Sequence, residues 1–196
     1  MFNIGDKVVY PMHGAGTIKS IENKNILGEE QAYYIIEMPG EVKVMVPTAK
    51  AEEIGVRDII DESTASNIFK VLKTDSTEMS MNWNKRYRDN MDKMKSGDAY
   101  EIADVVRNLS FKQKEKGLST GEKKMLLNAK QILVSELTLS GTQSESDIEN
   151  LVDNTINTSF AEYSKLIATG TAESASEGEG NIVKKFIPFD DTTASN

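Results

Sequence analysis

The chain has 196 residues, of which 38% are hydrophobic and 28% charged, and its formal net charge is -8. It contains no cysteine and one histidine, which excludes disulfides, thiolate chemistry and metal sites built from several histidines. The start of the chain does not resemble a signal peptide, and no apolar run approaches the roughly 20 residues that span a bilayer, so we expect a cytoplasmic protein.

The charge is unevenly distributed along the chain. Residues 1–82 contain 13 acidic and eight basic side chains, residues 83–130 contain seven and 12, and residues 140–196 contain ten and three. The middle segment is therefore basic, and it lies between two acidic segments. Such an asymmetry is a physical indication of the kind of partner that the chain binds.

The first part of the chain is predicted to be rich in β-strands. Short runs of Val, Ile and Tyr alternate with Gly, Pro and Asn, which is the pattern of strands separated by tight turns. Four or five such strands predict a small barrel over residues 1–56. The stretch NKNILGEEQ, residues 23–31, is predicted to be a hairpin loop.

Helical spacing replaces the strand pattern after Val56. Apolar residues recur at three- and four-residue intervals, and they predict an all-α bundle over residues 60–139. Ser63 is the predicted start of the first helix of the bundle, and a second helix is predicted from Asn82 to Lys95. The chain as a whole is therefore expected to belong to the α+β class.

Further signals mark where the bundle helices end and begin. Gly97 is predicted to end the second helix, and Asp98 is predicted to cap the third. Gly117 is predicted to end the third helix. The sequence STGE, Ser119 to Glu122, matches a capping box and predicts the start of the fourth.

The C-terminal extension, residues 140–196, has a different composition. A further helix is predicted over residues 146–168, although its polar composition makes the pattern weaker. The small, polar and acidic stretch that follows is expected to be disordered. An apolar island at residues 181–189 interrupts this acidic tail, and it is either a docking motif or a segment that packs on the bundle.

No arrangement of residues typical of an enzyme is visible. The GAG sequence at Gly14 to Gly16 is not followed by Lys-Ser/Thr and does not open a helix, which favours a strand turn over a phosphate loop. There is no G-x-S-x-G motif, and no pair of carboxylates stands out. The sequence therefore indicates neither an enzyme nor a cofactor or metal site.

Trp83, the single tryptophan, lies in the basic stretch NWNKRYR at residues 82–88. Composition alone favours a core position for so large an aromatic side chain. The adjacent cations keep a second interpretation open, in which an exposed ring acts as a wedge in a DNA minor groove.

The basic residues of the middle segment also admit two interpretations. Most single lysines on a helix are only part of its solvated surface. A DNA-binding face is favoured here because the segment differs in sign from the rest of the chain and lysines at adjoining helix ends should converge. The candidate DNA contacts are Trp83, Lys85, Arg86, Arg88, Lys123, Lys124 and Lys130.

Several stretches, in this order, resemble the CarD/CdnL family of bacterial transcription regulators. They are GDKVVYPMHGAGTI, VKVMVP, EEIGVRDII, NWNKRYRDNMDKMKSGD, IADVVRNL and KGLSTGEKKMLLNAKQILVSEL. The resemblance covers residues 1–139 and does not extend into the segment that begins at Ser140.

The resemblance implies a function for each part of the chain. It implies that the N-terminal barrel is of the Tudor-like, SH3-like type and binds the RNA polymerase β subunit. It implies that the helical domain meets promoter DNA at the upstream edge of the transcription bubble. There Trp83 would enter the minor groove, and Lys85, Arg86 and Arg88 would approach the backbone. The implied activity is stabilisation of the open complex by a monomer that does not read sequence.

The barrel departs from the family pattern at its polymerase contacts. Family members often carry arginines there, and the matching positions in this chain are Lys24 and Met45. Lys24 keeps the charge without the planar fork of arginine. Met45 has no charge, although Lys43 is expected on the same strand face by period-two alternation. We therefore expect Lys24, Lys43 and Met45 to form a weakened or altered polymerase contact.

An adaptor without a DNA role is the main alternative. In that case the barrel binds polymerase or another protein, and the tail recruits a partner through the stretch IVKKFIPF. Salt-sensitive binding of residues 60–139 to forked DNA would argue against this alternative.

Overall fold

The structure is a computed structural model that describes residues 1–26 and 28–168. Its N-terminal part is a five-stranded antiparallel sheet with the strand order β4-β3-β2-β1-β5. The strands are β1 Lys7–Tyr10, β2 Gly14–Ile26, β3 Glu29–Glu37, β4 Lys43–Pro47 and β5 Arg57–Asp58. Between β4 and β5 lies the short helix α1, Ala51–Ile54. The α+β class predicted from the sequence is confirmed.

The hairpin between β2 and β3 is tighter than the sequence predicts. Residues expected in a long loop continue the two strands instead, so that Asn23 pairs with Ala32 and Asn25 with Glu30. Pairing satisfies the backbone N–H and C=O groups that a loop would leave to water. The turn is made possible by Gly28, whose φ of 87° is accessible to glycine without steric cost.

Up to residue 168, where the described part of the chain ends, five further helices follow the sheet. They are α2 Glu62–Lys73, α3 Trp83–Ser96, α4 Ala99–Glu115, α5 Thr120–Ser140 and α6 Glu145–Ala168. Within the two described ranges, every helix is too short or too polar to span a lipid bilayer. The predicted acidic stretch and the apolar island at residues 181–189 lie outside the described residues.

Most of the predicted helix boundaries are confirmed by their caps. Gly97 ends α3 in the left-handed region at φ 72°, and the Asp98 side chain caps α4. The capping box is formed, with Ser119 and Glu122 satisfying each other's backbone N–H groups. The predicted start at Ser63 is wrong, because the Asp61 carboxylate accepts a hydrogen bond from the Thr64 N–H at 2.7 Å and α2 begins at once.

Helix α6 lies over the segment for which the sequence predicts a further helix. It buries Ile148, Val152 and Ile156 against the bundle core. The Phe160 ring meets the Phe111 ring edge-on, with 5.2 Å between centroids. The Ser159 hydroxyl donates to the backbone carbonyl at the end of α2 over 2.8 Å. These contacts make α6 part of the bundle and not an appendage to it.

The sheet and the bundle have separate apolar cores. The sheet core includes Val8, Ile18, Tyr34 and Ile36, and the bundle core is centred on α4 and α5. The two parts meet through polar contacts made by β1, β2 and β5 with α5. The position of the bundle relative to the sheet is therefore fixed by specific hydrogen bonds as well as by packing.

Candidate nucleic-acid interface

Trp83 is the first residue of α3, and 44% of its surface is exposed. The core position that composition favours is wrong. The ring lies on the same helical stripe as Arg86 and Asn90, which are both buried. Trp83 lies in the first turn of α3, next to the first turn of α5. Helix α5 covers one side of the ring, and the other side is exposed.

The exposed ring is held in a defined position by α5 and by its own helix. The indole Nε1 donates to the Ser119 hydroxyl over 2.9 Å. The ring stacks on Tyr87, with 5.4 Å between centroids and an interplanar angle of 28°. A Cβ at Gly121 would lie 3.4 Å from Tyr87 Cε2 and 3.8 Å from Trp83 Cζ2, so both rings pack closely on α5 there.

Ser119→Ala is expected to shift the fluorescence emission of Trp83 towards that of a hydrated indole, because Nε1 loses its partner. Loss of the N-cap should also lower the free energy of unfolding by about 1 kcal/mol. Both effects can be measured, by emission spectra of the single tryptophan and by thermal unfolding. Ser140→Ala, at the other end of α5, is the matched control and should leave the spectrum unchanged. An unchanged spectrum in Ser119→Ala would show that this hydrogen bond does not position the ring.

A buried ion pair links the first turns of α3 and α5. Arg86 Nε donates to Glu122 Oε1 over 2.7 Å, with 8% and 2% of the two side chains exposed. Arg86 Nη1 also donates to the carbonyls of Ser80 and Met81, at 2.8 and 3.2 Å. The expectation that Arg86 approaches DNA is therefore corrected, since its donors face the protein interior and hold α3, α5 and the preceding loop together.

The pKa of Glu122 reflects this environment. Burial raises the pKa, but hydrogen bonds from Arg86 and Ser119 and the charge of Arg86 outweigh burial. The pKa of Glu122 is therefore held below its usual range. The carboxylate thus stays charged and serves as a fixed acceptor between the two helix ends.

The loop that leads into Trp83 is also held by buried polar groups. The Thr77 N–H donates to Asn108 Oδ1 over 3.0 Å, and Asn108 Nδ2 donates to the Thr77 hydroxyl over 2.6 Å. Arg107 lies beside them, paired with Asp104. Together with Arg86, these groups hold the loop that precedes α3 in one position. The first turn of α3 is therefore fixed both by this loop and by α5.

Four of the predicted DNA contacts are exposed at the end of the bundle that carries the indole. Lys85 and Arg88 lie on the first two turns of α3, and Lys123 and Lys124 lie on the first turn of α5. Lys124 lines the same groove as Tyr87 and Gly121, which places it close to the stacked rings. Both helices begin at this end, so the positive ends of their dipoles lie here too. This set, Trp83, Lys85, Arg88, Lys123 and Lys124, is called the cationic end below.

Lys130 does not belong to the cationic end, and its contact with DNA stays a prediction. It lies on α5 nine residues after Gly121, which is about two and a half helical turns and therefore the opposite face. There it forms an ion pair with Asp153 of α6, and only 24% of its side chain is exposed. Asp153 belongs to α6, which therefore supplies the acidic partner of this lysine.

The residues expected at the polymerase contact share the outer face of the sheet. Lys24 is paired with Gln31, Met45 with Ile35 and Lys43 with Glu37. Their β3 partners have odd numbers, whereas Tyr34 and Ile36 of the sheet core have even numbers, so all three lie on the face opposite that core. Tyr33 and Ile35, on this opposite face of β3, are also buried. Met45 is 52% exposed. Lys24 forms an ion pair with Glu22 at 2.6 Å.

Sequence reasoning did not assign several residues of the site. The sequence marked Ser119, Gly121 and Glu122 only as the start of a helix, and it gave no role to Tyr87. The capping box locates the start of α5 but carries no information about which other helix lies beside it. Within residues 1–26 and 28–168, no cluster of three or more His, Asp or Glu side chains is placed to hold a metal ion.

Comparison with known proteins assigns both parts of the chain to one family. Residues 2–60 match the family model described as CarD-like/TRCF RID domain, and residues 67–153 match the model described as CarD, C-terminal domain. The chain is also 42% identical to "Putative transcription factor YdeB" of Bacillus subtilis (strain 168) over 151 residues, covering 76% of this chain and 99% of that protein. The chain therefore belongs to the CarD-like family of transcription factors, with an N-terminal domain of the type that interacts with RNA polymerase.

Proposed function

We propose that this protein binds the RNA polymerase β subunit through the outer face of its sheet and stabilises the open promoter complex through the cationic end of its bundle. Trp83 enters the minor groove at the upstream fork of the bubble, and Lys85, Arg88, Lys123 and Lys124 contact backbone phosphates. These contacts do not read sequence, because they are made to phosphates and to a base step and not to base edges in the major groove.

The observation that carries this proposal is the half-exposed indole. An apolar ring of this size is usually covered unless it meets a partner. Here Ser119, Tyr87 and Gly121 hold it without covering it, and four exposed cations lie on the first turns of the same two helices. A rigid aromatic group with exposed cations at the same end of the bundle matches the chemistry of DNA, which presents a stacked base step between two phosphate backbones.

The wedge favours melted over intact DNA for an energetic reason. Insertion between stacked base pairs costs a few kcal/mol of unstacking in an intact duplex. At the edge of an open bubble the stack is already interrupted, so this cost is much smaller. A ligand shifts an equilibrium only by its difference in affinity for the two states, and each 1.4 kcal/mol of preference is about tenfold.

The sheet supplies the attachment to polymerase. Lys24, Lys43 and Met45 share its outer face, with Lys43 and Met45 on β4 and Lys24 nearer the β2–β3 hairpin. Strand β4 lies at one edge and, among the described residues, pairs only with β3, so its other side is open to a further strand. Attachment raises the effective concentration of the cationic end near the promoter, which allows a few weak phosphate contacts to suffice.

The function is tested by measuring the lifetime of open complexes formed by purified polymerase, with and without the protein. The protein is expected to lengthen the lifetime at several unrelated promoters. Binding to polymerase together with no effect on lifetime and no binding to forked DNA would support the adaptor alternative and overturn the proposal.

Lys123→Gln/Lys124→Gln is expected to weaken binding to forked DNA and to reduce its dependence on salt. Each phosphate contact contributes about 0.9 to the slope of log K against log salt concentration, so losing two contacts should reduce the slope by nearly 2. Binding isotherms at four or more salt concentrations give the slope directly.

Lys50→Gln/Lys95→Gln provides the matched control, because it removes the same charge from exposed lysines at the sheet end of the molecule. The control should leave the salt slope close to that of the wild type. Equal slopes for both double variants would show that total charge, and not the cationic end, determines binding.

A further inference from the structure

One arginine joins the sheet to both of the helices that carry the cationic end. Arg57, on β5, donates to Glu136 Oε1 and Oε2 over 2.6 and 3.0 Å. Its Nε and Nη2 also donate to the carbonyl of Gly97 at the end of α3, over 3.0 and 2.6 Å. Glu136 is completely buried and accepts a further hydrogen bond from the Ile60 N–H over 3.0 Å.

A second contact completes the joint between the sheet and the bundle, at the residue of α5 that precedes Glu136. The buried Ala15 N–H donates to the Ser135 hydroxyl over 2.9 Å. At Gly14 a Cβ would lie 2.6 Å from Ser135 Oγ, so strand β2 approaches α5 as closely as the backbone allows. The joint therefore consists of hydrogen bonds with little space for rearrangement.

Helices α3 and α5 connect this joint to the indole. At one end, Trp83 contacts Ser119 and Arg86 pairs with Glu122. At the other end, Gly97 and Glu136 are joined through Arg57. The two helices thus run side by side in the same direction and are linked at both ends. The 14 residues of α3 span about 21 Å at 1.5 Å per residue, which is the length of the connection.

We propose that Arg57 and Glu136 are positioning residues that fix Trp83 relative to the polymerase-binding sheet. This inference rests on the function proposed above. A wedge on a flexible tether samples many positions and must be ordered when it binds. A wedge on a rigid pair of helices is already placed when the sheet binds, so its effective concentration at the fork is higher. The joint would then determine how strongly polymerase binding is converted into open-complex stabilisation.

The test measures two quantities separately: the protein concentration that gives half of the effect, and the maximal increase in open-complex lifetime. Glu136→Gln retains the shape of the side chain and an acceptor but removes the charge that holds Arg57. The increase in open-complex lifetime at saturating protein is expected to fall about fivefold to tenfold. The concentration that gives half of this maximal effect should stay within about twofold of wild type, because the sheet surface is unaltered. The emission spectrum of Trp83 should also be unchanged, because Ser119 and Tyr87 are untouched.

Glu101→Gln is the matched control, because Glu101 is an exposed carboxylate that pairs with Lys93 only at 3.4 Å. Arg57→Lys is a second variant, which keeps a cation beside Glu136 but cannot also reach the Gly97 carbonyl in the planar geometry of arginine. Arg57→Lys should give a maximal lifetime between those of the wild type and Glu136→Gln. If Glu136→Gln does not fold, Arg57→Lys alone tests the positioning role.

The inference would be overturned if Glu136→Gln or Arg57→Lys folds and gives the same maximal open-complex lifetime as the wild type. This conclusion requires that Trp83→Ala still loses the increase in lifetime. Loss of folded protein alone would change the concentration needed for half of the effect and not the maximum. If Trp83→Ala also has no effect on lifetime, the proposed function fails instead, so the two failures are distinguishable.

Discussion

Trp83→Ala is expected to remain folded and to bind polymerase with unchanged affinity, while losing most of the increase in open-complex lifetime. Stacking of an aromatic side chain on a base is worth about 1–3 kcal/mol, so removal of the ring should shorten the lifetime gained by roughly tenfold. The measurement is the decay of preformed open complexes after addition of a competitor, at protein concentrations that saturate polymerase.

The chain should tolerate this substitution because the ring is only half-buried. With 44% of its surface exposed, a tryptophan buries about half of its roughly 150–250 Å² of surface. At about 25 cal/mol per Å², the loss is roughly 2–3 kcal/mol, which is less than the stability of a typical domain. Circular dichroism and thermal unfolding of the variant check this directly.

Trp83→Phe distinguishes the contribution of the aromatic ring from that of the Nε1 hydrogen bond. Phenylalanine keeps an apolar wedge but cannot donate to Ser119, so its position is less restricted. An intermediate lifetime is expected for this variant. A folded Trp83→Ala protein with the full wild-type effect would exclude the wedge, and an unfolded one would show that the fold depends on the indole.

Features set by neighbouring residues in sequence were predictable. The caps at Asp98 and Gly97 and the capping box at Ser119 depend on a few adjacent dihedral angles and on short-range hydrogen bonds. The start of α2 was misplaced by two residues because both Asp61 and Ser63 are good caps and only the former has its acceptor in place. The same local patterns predicted the strands, but they underestimated the lengths of β2 and β3 near the tight hairpin at Gly28.

The exposure of individual side chains was not predictable in the same way. Arg86 and Arg88 are two residues apart in one basic stretch, yet the first is buried and the second exposed. The difference is produced by Glu122, which is 36 residues away in sequence. Likewise, Lys130 lies in the same basic segment as Lys124, but it is on another face of α5, where Asp153 of α6 pairs with it. A pattern along one helix cannot show which charge the next helix presents to it.

The joint between sheet and bundle was the least accessible from sequence. Arg57 and Glu136 are 79 residues apart, and each is an ordinary charged residue in its own segment. The family resemblance implied two domains and a function for each, but it implied nothing about how they are held together. Tertiary contacts over such distances depend on the whole packing arrangement, which local periodicity does not encode.

Arg86→Met is expected to destabilise the chain by about 3–5 kcal/mol, because it leaves the Glu122 carboxylate buried without its ion-pair partner. Glu122 is 2% exposed and keeps only its hydrogen bonds to Ser119. The substitution also removes the donor that holds the carbonyls of Ser80 and Met81. Urea unfolding followed by circular dichroism measures the loss, and Arg88→Met, at an exposed position on the same helix, is the matched control.

The pH dependence of stability tests the same pair through Glu122. Its pKa is lowered in the folded chain, so the unfolded chain binds the proton more readily. The stabilisation is fully present above the ordinary glutamate pKa of about 4.3, and it is lost as the pH falls through the lower folded value. Glu122→Gln should therefore be destabilised at neutral pH but should lose less stability than the wild type between pH 5 and pH 3, roughly the range in which glutamate titrates.

Arg86→Met/Glu122→Gln completes a double-mutant cycle that distinguishes a structural arginine from one that contacts DNA. If the pair is structural, the double variant should recover part of the stability lost in Arg86→Met, because no charge is left buried without a partner. If Arg86 instead faced phosphate, Arg86→Met would unfold at the same urea concentration as the wild type, and its salt slope on forked DNA would fall by about 0.9. The buried geometry predicts the opposite combination. Arg86→Met should lose much of its stability, while the molecules that remain folded still present the cationic end to DNA.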